Sequence, residues 1–478
     1  MTKHKSTEQR YDWLFPILSL FTVTFFVYRD FDIRMIFGYA ALGLVLGIHG
    51  LGRLYRDRAP ALDPLRLSFL VLSLAVFFNF LRPDSRHDAD SVSFVISMLI
   101  CCAFVVLARP GEKAGKIAMA LGLGGALFLS AFVLFFEYNP WYFWNWFLMK
   151  LSYTAGAYLC HYVPRGYGFT LGGCTYTNYI LFIGLAVCCG YLACGKRFSW
   201  KSVLAIVFGG VFLYAILLVG RRGELLGAVL CLGLLVLALC SKKQRRFLII
   251  GGIAACVVGF AAIVALLPWL KQFPPMVRYV MTIEQLLSGQ DITSGRLELY
   301  ALAIDAFLDQ PLFGMGWDQF HTLIPQTFLD LHGQDVEDVH CIYLQFFTEA
   351  GIVGAPFLIA PLVYGYYLVC SQLARLKKQP MHTARMLCVA SFMVQSFLLI
   401  LGIYDPNFQR VIFWCFYALA ILMYLNALEL EGHTPDDPVS RLLNKLIHFC
   451  APPFVLVWNW VAGLLRPLRR RSQRRIEP

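Results

Sequence analysis

Apolar residues come in long unbroken runs rather than alternating with polar ones, and the runs are divided by short polar, mostly basic segments. Runs long enough to cross a bilayer, some completed by aromatic flanks, lie near 13–28, 35–52, 67–81, 92–108, 117–137, 173–195, 202–220, 222–240, 247–268, 341–370, 386–403 and 411–428. The pattern predicts an all-α polytopic membrane protein with about twelve transmembrane helices. The first run, from Trp13, lacks a small-residue cleavage site and reads as a retained span rather than a signal peptide.

Two interruptions are long, 138–172 and 269–340, the second between the ninth and tenth spans. Within the second, Met276–Leu287 and Arg296–Leu308 have helical apolar spacing. In the latter, Leu297, Tyr300, Ala301, Ile304, Phe307 and Leu308 share one face, and Thr293 or Ser294 can cap the start. Both helices are expected to lie flat on the transmembrane core. The expected division is a transmembrane domain over 1–437 and a basic tail over 438–478. The tail's last apolar run, Leu446–Leu465, is broken by Pro452 and Pro453 and followed by an arginine cluster, so it reads as an anchor in the cytoplasmic interface.

Composition sharpens this picture. With 59% hydrophobic and 15% charged residues and a mean hydropathy of +0.63, the chain cannot cover a soluble globule of 478 residues with polar surface. The net charge of +12 comes from clusters between spans, such as Arg53/Arg56/Arg58, Lys242/Lys243/Arg245/Arg246 and the tail. That distribution orients a membrane protein and argues against nucleic-acid binding. It puts both termini in the cytoplasm and the two long loops outside. Most of the 15 cysteines sit inside apolar runs and read as free thiols; Cys160 and Cys174 flank one loop and are the one pair worth considering.

Candidate chemistry collects on the outer side. The span ending at Gly220 is followed by Arg221-Arg222-Gly223-Glu224, which opens the next one, so a helix N-terminus and two arginines share a corner suited to a phosphate. Glu224 lies three residues from Arg221 and can pair with it, which leaves Arg222 for a ligand. Headgroup snorkelling by both arginines is the competing reading. Ser294-Gly295-Arg296 repeats the combination of guanidinium and helix start, and two such corners suit a diphosphate. His340 opens the tenth span, where the dipole end disfavours imidazolium and keeps the ring a potential base. A metal site shared with His321, His332, Asp335, Glu337 and Asp338 is the alternative, although their spacing matches no familiar ligand pattern. Glu349 is an acid within a span but falls on the helix face opposite His340, so a supporting role is expected. Gly351 and Gly354 permit close helix approach. Trp141, Trp144 and Trp146 read as an interfacial belt, with a sugar or lipid path as the other use.

Four motifs in this order resemble the O-antigen ligase and O-antigen polymerase superfamily of bacterial lipid-linked glycan transferases. They are Arg222-Gly223, Ser294-Gly295-Arg296, the P-L-x-G-x-G turn from Pro311 to Gly316, and His340 to Gly354 with Tyr343 and Glu349 at their places in H-x-x-Y-L-x-x-x-x-E-x-G-x-x-G. The residue after the histidine, often Asn in the family, is Cys341, and the doubled arginine makes the first position ambiguous between Arg221 and Arg222. The resemblance implies a C-type glycosyltransferase fold and an undecaprenyl-diphosphate-linked glycan donor at the outer leaflet of the cytoplasmic membrane. It further implies inverting transfer to a glycan or glycolipid acceptor, with no cofactor and no metal. Carried over by residue, Arg222 and Arg296 would hold the diphosphate and His340 would activate the acceptor hydroxyl; Ser294, Gly316, Tyr343 and Glu349 would support them. A transporter or flippase of lipid-linked oligosaccharide is the competing function, but midspan acids and paired broken helices in corresponding halves are not evident in the sequence.

Overall fold

The computed structural model describes residues 63–107, 114–142, 144–145, 174–194, 199–332, 338–376, 383–405, 411–432 and 438–445, with 447, 455–456 and 459–460 beyond them. Among these residues regular structure is helical throughout, with no strand. The protein is an all-α polytopic membrane protein. The first two runs expected to span, 13–28 and 35–52, the Cys160–Cys174 pair and most of the tail lie outside the described residues or side chains.

The helices are α1 Pro64–Phe80, α2 Ala89–Leu107, α3 Ala114–Tyr138, α4 Cys174–Cys194, α5 Trp200–Leu218, α6 Arg222–Leu239 and α7 Lys242–Leu270. They continue with α8 Pro274–Leu287, α9 Arg296–Asp309, α10 Gln326–His332, α11 Ile342–Leu376, α12 Thr383–Leu401 and α13 Val411–Glu431. Eight, namely α3 to α7 and α11 to α13, are long and apolar enough to cross a bilayer, and α1 and the apolar part of α2 are shorter.

The bundle is built around α4, α12 and α13, whose apolar stretches are mostly buried. Phe182 of α4 stacks on Phe397 of α12 with centroids 3.9 Å apart, and Tyr179 meets the edges of Phe397 and Phe416. Around this centre α3 and α5 pack on α4, α6 packs on α12, and α1 and α2 pack on α11 and α13. Several polar groups inside are bonded to backbone, as a bilayer favours: Ser391 Oγ donates to Ala420 O at 2.6 Å and Tyr417 Oη to Leu362 O at 2.7 Å. By contrast, most of the apolar stretch of α7 is not buried among the described residues, and a methyl group added at Gly251, Gly252 or Gly259 would touch nothing within 4 Å.

Helix α11 is broken at Gly351, with φ 64° and ψ −174°, a conformation open essentially to glycine alone. The turn 311–316 seals the break. Met315 N donates to Thr348 O at 3.0 Å and Gly316 N to Glu349 O at 3.1 Å; on the other side Pro311 O accepts from Ile352 N at 2.8 Å and Leu312 O from Val353 N at 3.1 Å. Four backbone groups beside the break thus find partners on the turn, which is what irregular backbone at membrane depth needs. Arg82, in the turn between α1 and α2, adds its guanidinium to the Phe313 carbonyl, to Gly314 O at 3.0 Å and to Glu349 O at 3.4 Å. A cation there meets the negative end of the half-helix 342–350. At the other end of the bundle, Ser440 at the start of the tail is buried and its hydroxyl lies 2.9 Å from Tyr364 Oη of α11.

Candidate active site

The end of α5 and the start of α6 form the first corner. Gly220 turns the chain with φ 75°, Arg221 is the extended N-cap and Arg222 is the first helical residue. Arg221 Nε is 3.3 Å from Glu224 Oε1, and its Nη2 is 3.9 Å from Asp405 Oδ2, with both carboxylates buried. Arg222 turns away to α8, where its Nη1 donates to Thr282 Oγ1 at 2.6 Å, and Tyr279 of the same helix donates to Leu217 O at 3.0 Å. Among the described residues Arg222 therefore meets a neutral hydroxyl and no carboxylate. Gly223 is required by packing: a Cβ there would sit 2.5 Å from the ring of Tyr404, whose hydroxyl donates to Gly223 O at 2.6 Å.

The second corner is the start of α9. Here the expected side-chain cap from Thr293 or Ser294 is corrected: the N-cap is Gly295, with φ 79° and no side-chain bond. Asp291 does the work instead, its carboxylate accepting from Thr293 N, Thr293 Oγ1 and Gly295 N at 2.5–2.7 Å. Ser294, at φ 58°, is spent on the turn, and the two left-handed residues turn the chain so that Arg296 begins the helix. No carboxylate pairs with Arg296 among the described residues, and its guanidinium lies within electrostatic reach of Arg222. Two like charges are thus held near each other.

The buried face of α9 also differs from the expected one. Leu299 and Ala303 are buried, with Ala303 O accepting from Thr348 Oγ1 at 3.0 Å and Phe307 set edge-on to Phe347, whereas Leu297, Ile304 and Leu308 are exposed. Helix α9 has apolar residues on two faces, and contact with α11 selects the one carrying the smaller Ala303.

His340 precedes α11 by two residues instead of opening it and has φ 58°. Its carbonyl accepts from Tyr300 Oη at 3.3 Å; the same hydroxyl is 3.3 Å from Ile403 O. Ile342 N donates to Gly402 O at 2.8 Å and Tyr343 Oη to Leu399 O at 2.8 Å. The end of α12 is therefore a hub. Its orphan carbonyls take donors from α9 and from the start of α11, Tyr404 binds the Arg222-Gly223 corner, and Asp405 faces Arg221. Burial pushes the phenols of Tyr300 and Tyr404 and the thiol of Cys341 upward, so all three stay protonated near neutrality.

Glu349 and Gly316 stand apart from the arginines, at the sealed break. Glu349 is buried and accepts from Gln345 Nε2 at 3.1 Å, and Gly316 lies too close to the backbone of Asp84 to carry a side chain. Next to them Asp318 bonds the Ser91 hydroxyl and lies 3.7 Å from Arg86; burial raises its carboxyl above the usual range, and Ser91 and Arg86 oppose that rise. His321 bonds the Asp318 carbonyl at 2.9 Å, and the side chains of His332, Asp335 and Glu337 lie outside those described. Sequence reasoning missed Arg82, Tyr279, Thr282, Tyr300 as a hydrogen-bond donor, Tyr404 and Asp405. Of these, the acid-proline pair Asp405-Pro406 closing an apolar run was the one visible signal.

Arg221, Arg222, Arg296 and His340 are thus linked through Tyr300 and the 402–405 turn into one cluster at one end of the bundle. No curated protein matches the chain. The family model described as O-antigen ligase matches residues 206–359, a segment that contains all four of these residues together with the 311–316 turn and Glu349. In that segment, and in the order of its motifs, the chain is similar to the O-antigen ligase and polymerase superfamily of membrane glycan transferases.

Proposed function

We propose that the protein transfers a glycan from an undecaprenyl-diphosphate carrier to an acceptor hydroxyl at the outer face of the cytoplasmic membrane, as an O-antigen ligase or polysaccharide polymerase. The observation that carries this reading is the pair Arg222 and Arg296: two guanidiniums at two helix starts, within electrostatic reach of each other and unneutralised by any described carboxylate. A diphosphate relieves their repulsion, and the same groups stabilise the charge that grows on it as the glycosidic bond breaks. His340 accepts the proton of the acceptor hydroxyl while that oxygen attacks the anomeric carbon from the face opposite the diphosphate. The new glycosidic bond has inverted configuration, the diphosphate carrier leaves as an anion, and the proton resides on the imidazole until water removes it. No metal is needed when two arginines carry the leaving-group charge. In this reading the site faces the extracytoplasmic side and both termini lie in the cytoplasm, which the distribution of basic clusters supports.

The break in α11 gives a flippase reading one observation of its own, because transporters place substrates at discontinuous helices. Here, however, the turn 311–316 occupies the break, and α11 alone among the described helices carries one. The deciding experiment uses purified full-length protein with lipid-linked glycan accumulated in a strain lacking it. Transfer to acceptor with release of undecaprenyl diphosphate supports the transferase. Movement of intact donor across a vesicle bilayer without transfer supports the flippase.

A further inference from the structure

We propose that Tyr300 is a positioning residue for this transfer: its hydroxyl, held between the carbonyl oxygens of His340 and Ile403, fixes the spacing between the helix that presents Arg296 and the residue that takes the acceptor proton. The inference rests on the transferase reading and assigns a role to a side chain outside the arginine and histidine set. Tyr300 lies one helical turn beyond Arg296, on the same side of α9, so a movement of α9 carries both. A phenol has a single proton; with two acceptors each at 3.3 Å it forms a three-centre bond that draws α9 and the end of α12 onto the His340 carbonyl together.

The carbonyl it grips belongs to a residue with a left-handed backbone, φ 58°, which a non-glycine residue keeps only where its surroundings impose it. Those surroundings can be named. Val339 is fully buried in the small apolar cluster with Leu299, Ala303 and Phe320, Ile342 N is bonded to Gly402 O, and Tyr300 grips the carbonyl of His340's own peptide. The Tyr300 ring packs against the same cluster, so phenylalanine would keep the packing and delete the donor alone. Burial disfavours the phenol's ionisation, so the hydroxyl keeps its proton near neutral pH.

A base displaced by a fraction of an ångström loses near-attack geometry without losing the donor site, and this separates positioning from a structural role. In Tyr300→Phe, kcat should fall about 3- to 10-fold, the equivalent of one neutral hydrogen bond, with KM for the lipid-linked donor and the unfolding temperature unchanged. The measurement uses purified full-length protein in detergent, with undecaprenyl-diphosphate-linked glycan accumulated in a strain lacking it and acceptor membranes from that strain. His340→Ala and Arg296→Ala are run alongside. A wild-type kcat in Tyr300→Phe, or a loss of kcat that tracks a lower unfolding temperature, overturns the proposal while His340→Ala, by losing turnover, leaves the transferase reading standing. Normal transfer by His340→Ala overturns both.

Discussion

Arg222 and Arg296 lie within electrostatic reach of each other and no described carboxylate pairs with either, an arrangement suited to an anion. Arg222→Ala or Arg296→Ala should therefore lower transfer by roughly 10²-fold, with weaker donor binding and slower turnover together, while the unfolding temperature stays level or rises. Lysine should rescue only in part, since it lacks the planar fork. His340→Ala should behave differently, losing about 10²–10⁴-fold in turnover with little change in donor affinity, as rapid-quench transfer assays with titrated donor can separate. Asp318 offers a pH test remote from the chemistry. Its folded carboxyl holds the proton more tightly than the unfolded one, so its effect on stability worsens as pH rises from the usual carboxylate range through the raised value. Asp318→Asn should flatten that part of the stability profile in thermal melts taken from mildly acid to neutral pH. At this scale the sequence was partly legible. Arg221 and Glu224 are three residues apart on one helix, so their pairing follows from local geometry, and it points to Arg222 as the unpaired member. Tyr404 was not legible, because its partner Gly223 lies 181 residues away and no local pattern encodes that contact.

Among the elements, the half-helix 342–350 is the one whose placement the site depends on. Its N-terminal end docks on the α12 hub and its C-terminal end on the turn 311–316 and Arg82, so His340 is held from both directions. Gly351→Ala puts a Cβ 2.3 Å from Leu312 O in a glycine-only conformation and should cost about 2 kcal/mol or more, read as a lower unfolding temperature in detergent. Arg82→Ala removes charge-assisted bonds to the carbonyls at the break and should cost about 1–3 kcal/mol, with Lys restoring less than half. Gly351 and Gly354 stood out in the sequence as helix-approach residues; the structure shows Gly351 acting through its backbone angle. Period alone could not choose the buried face of α9, since a helix with two apolar faces offers two equally good answers and only the partner decides between them.

For the whole molecule, spans and loops were legible because a bilayer demands about 20 apolar residues per crossing and the chain supplies them in separated runs. Their packing order was not, since helices of uniform hydrophobicity carry little directional signal and α4, α12 and α13 find one another through small residues and rings. Orientation can be tested with an impermeant thiol reagent in a background stripped of native cysteines. A cysteine at Ser288, exposed and free of the left-handed strain of neighbouring Gly289, should react in intact cells, and one at Ser472 should react only after lysis.

Helix α7, exposed over most of its length among the described residues, carries a different kind of consequence. Its apolar part, 247–270, runs about 36 Å at 1.5 Å per residue against a hydrocarbon slab of about 30 Å, so it must lean. With most of that stretch free of contact with the described residues, the thickness of the lipid bears directly on the angle. The Leu270 end of α7 passes within four residues into α8, whose Thr282 holds Arg222, so the lean of α7 is mechanically linked to the Arg222 corner. In vesicles of graded acyl length, turnover should therefore pass through an optimum, and replacing Thr282 with Val should flatten the dependence; the membrane's thickness would then act on the enzyme as an effector does.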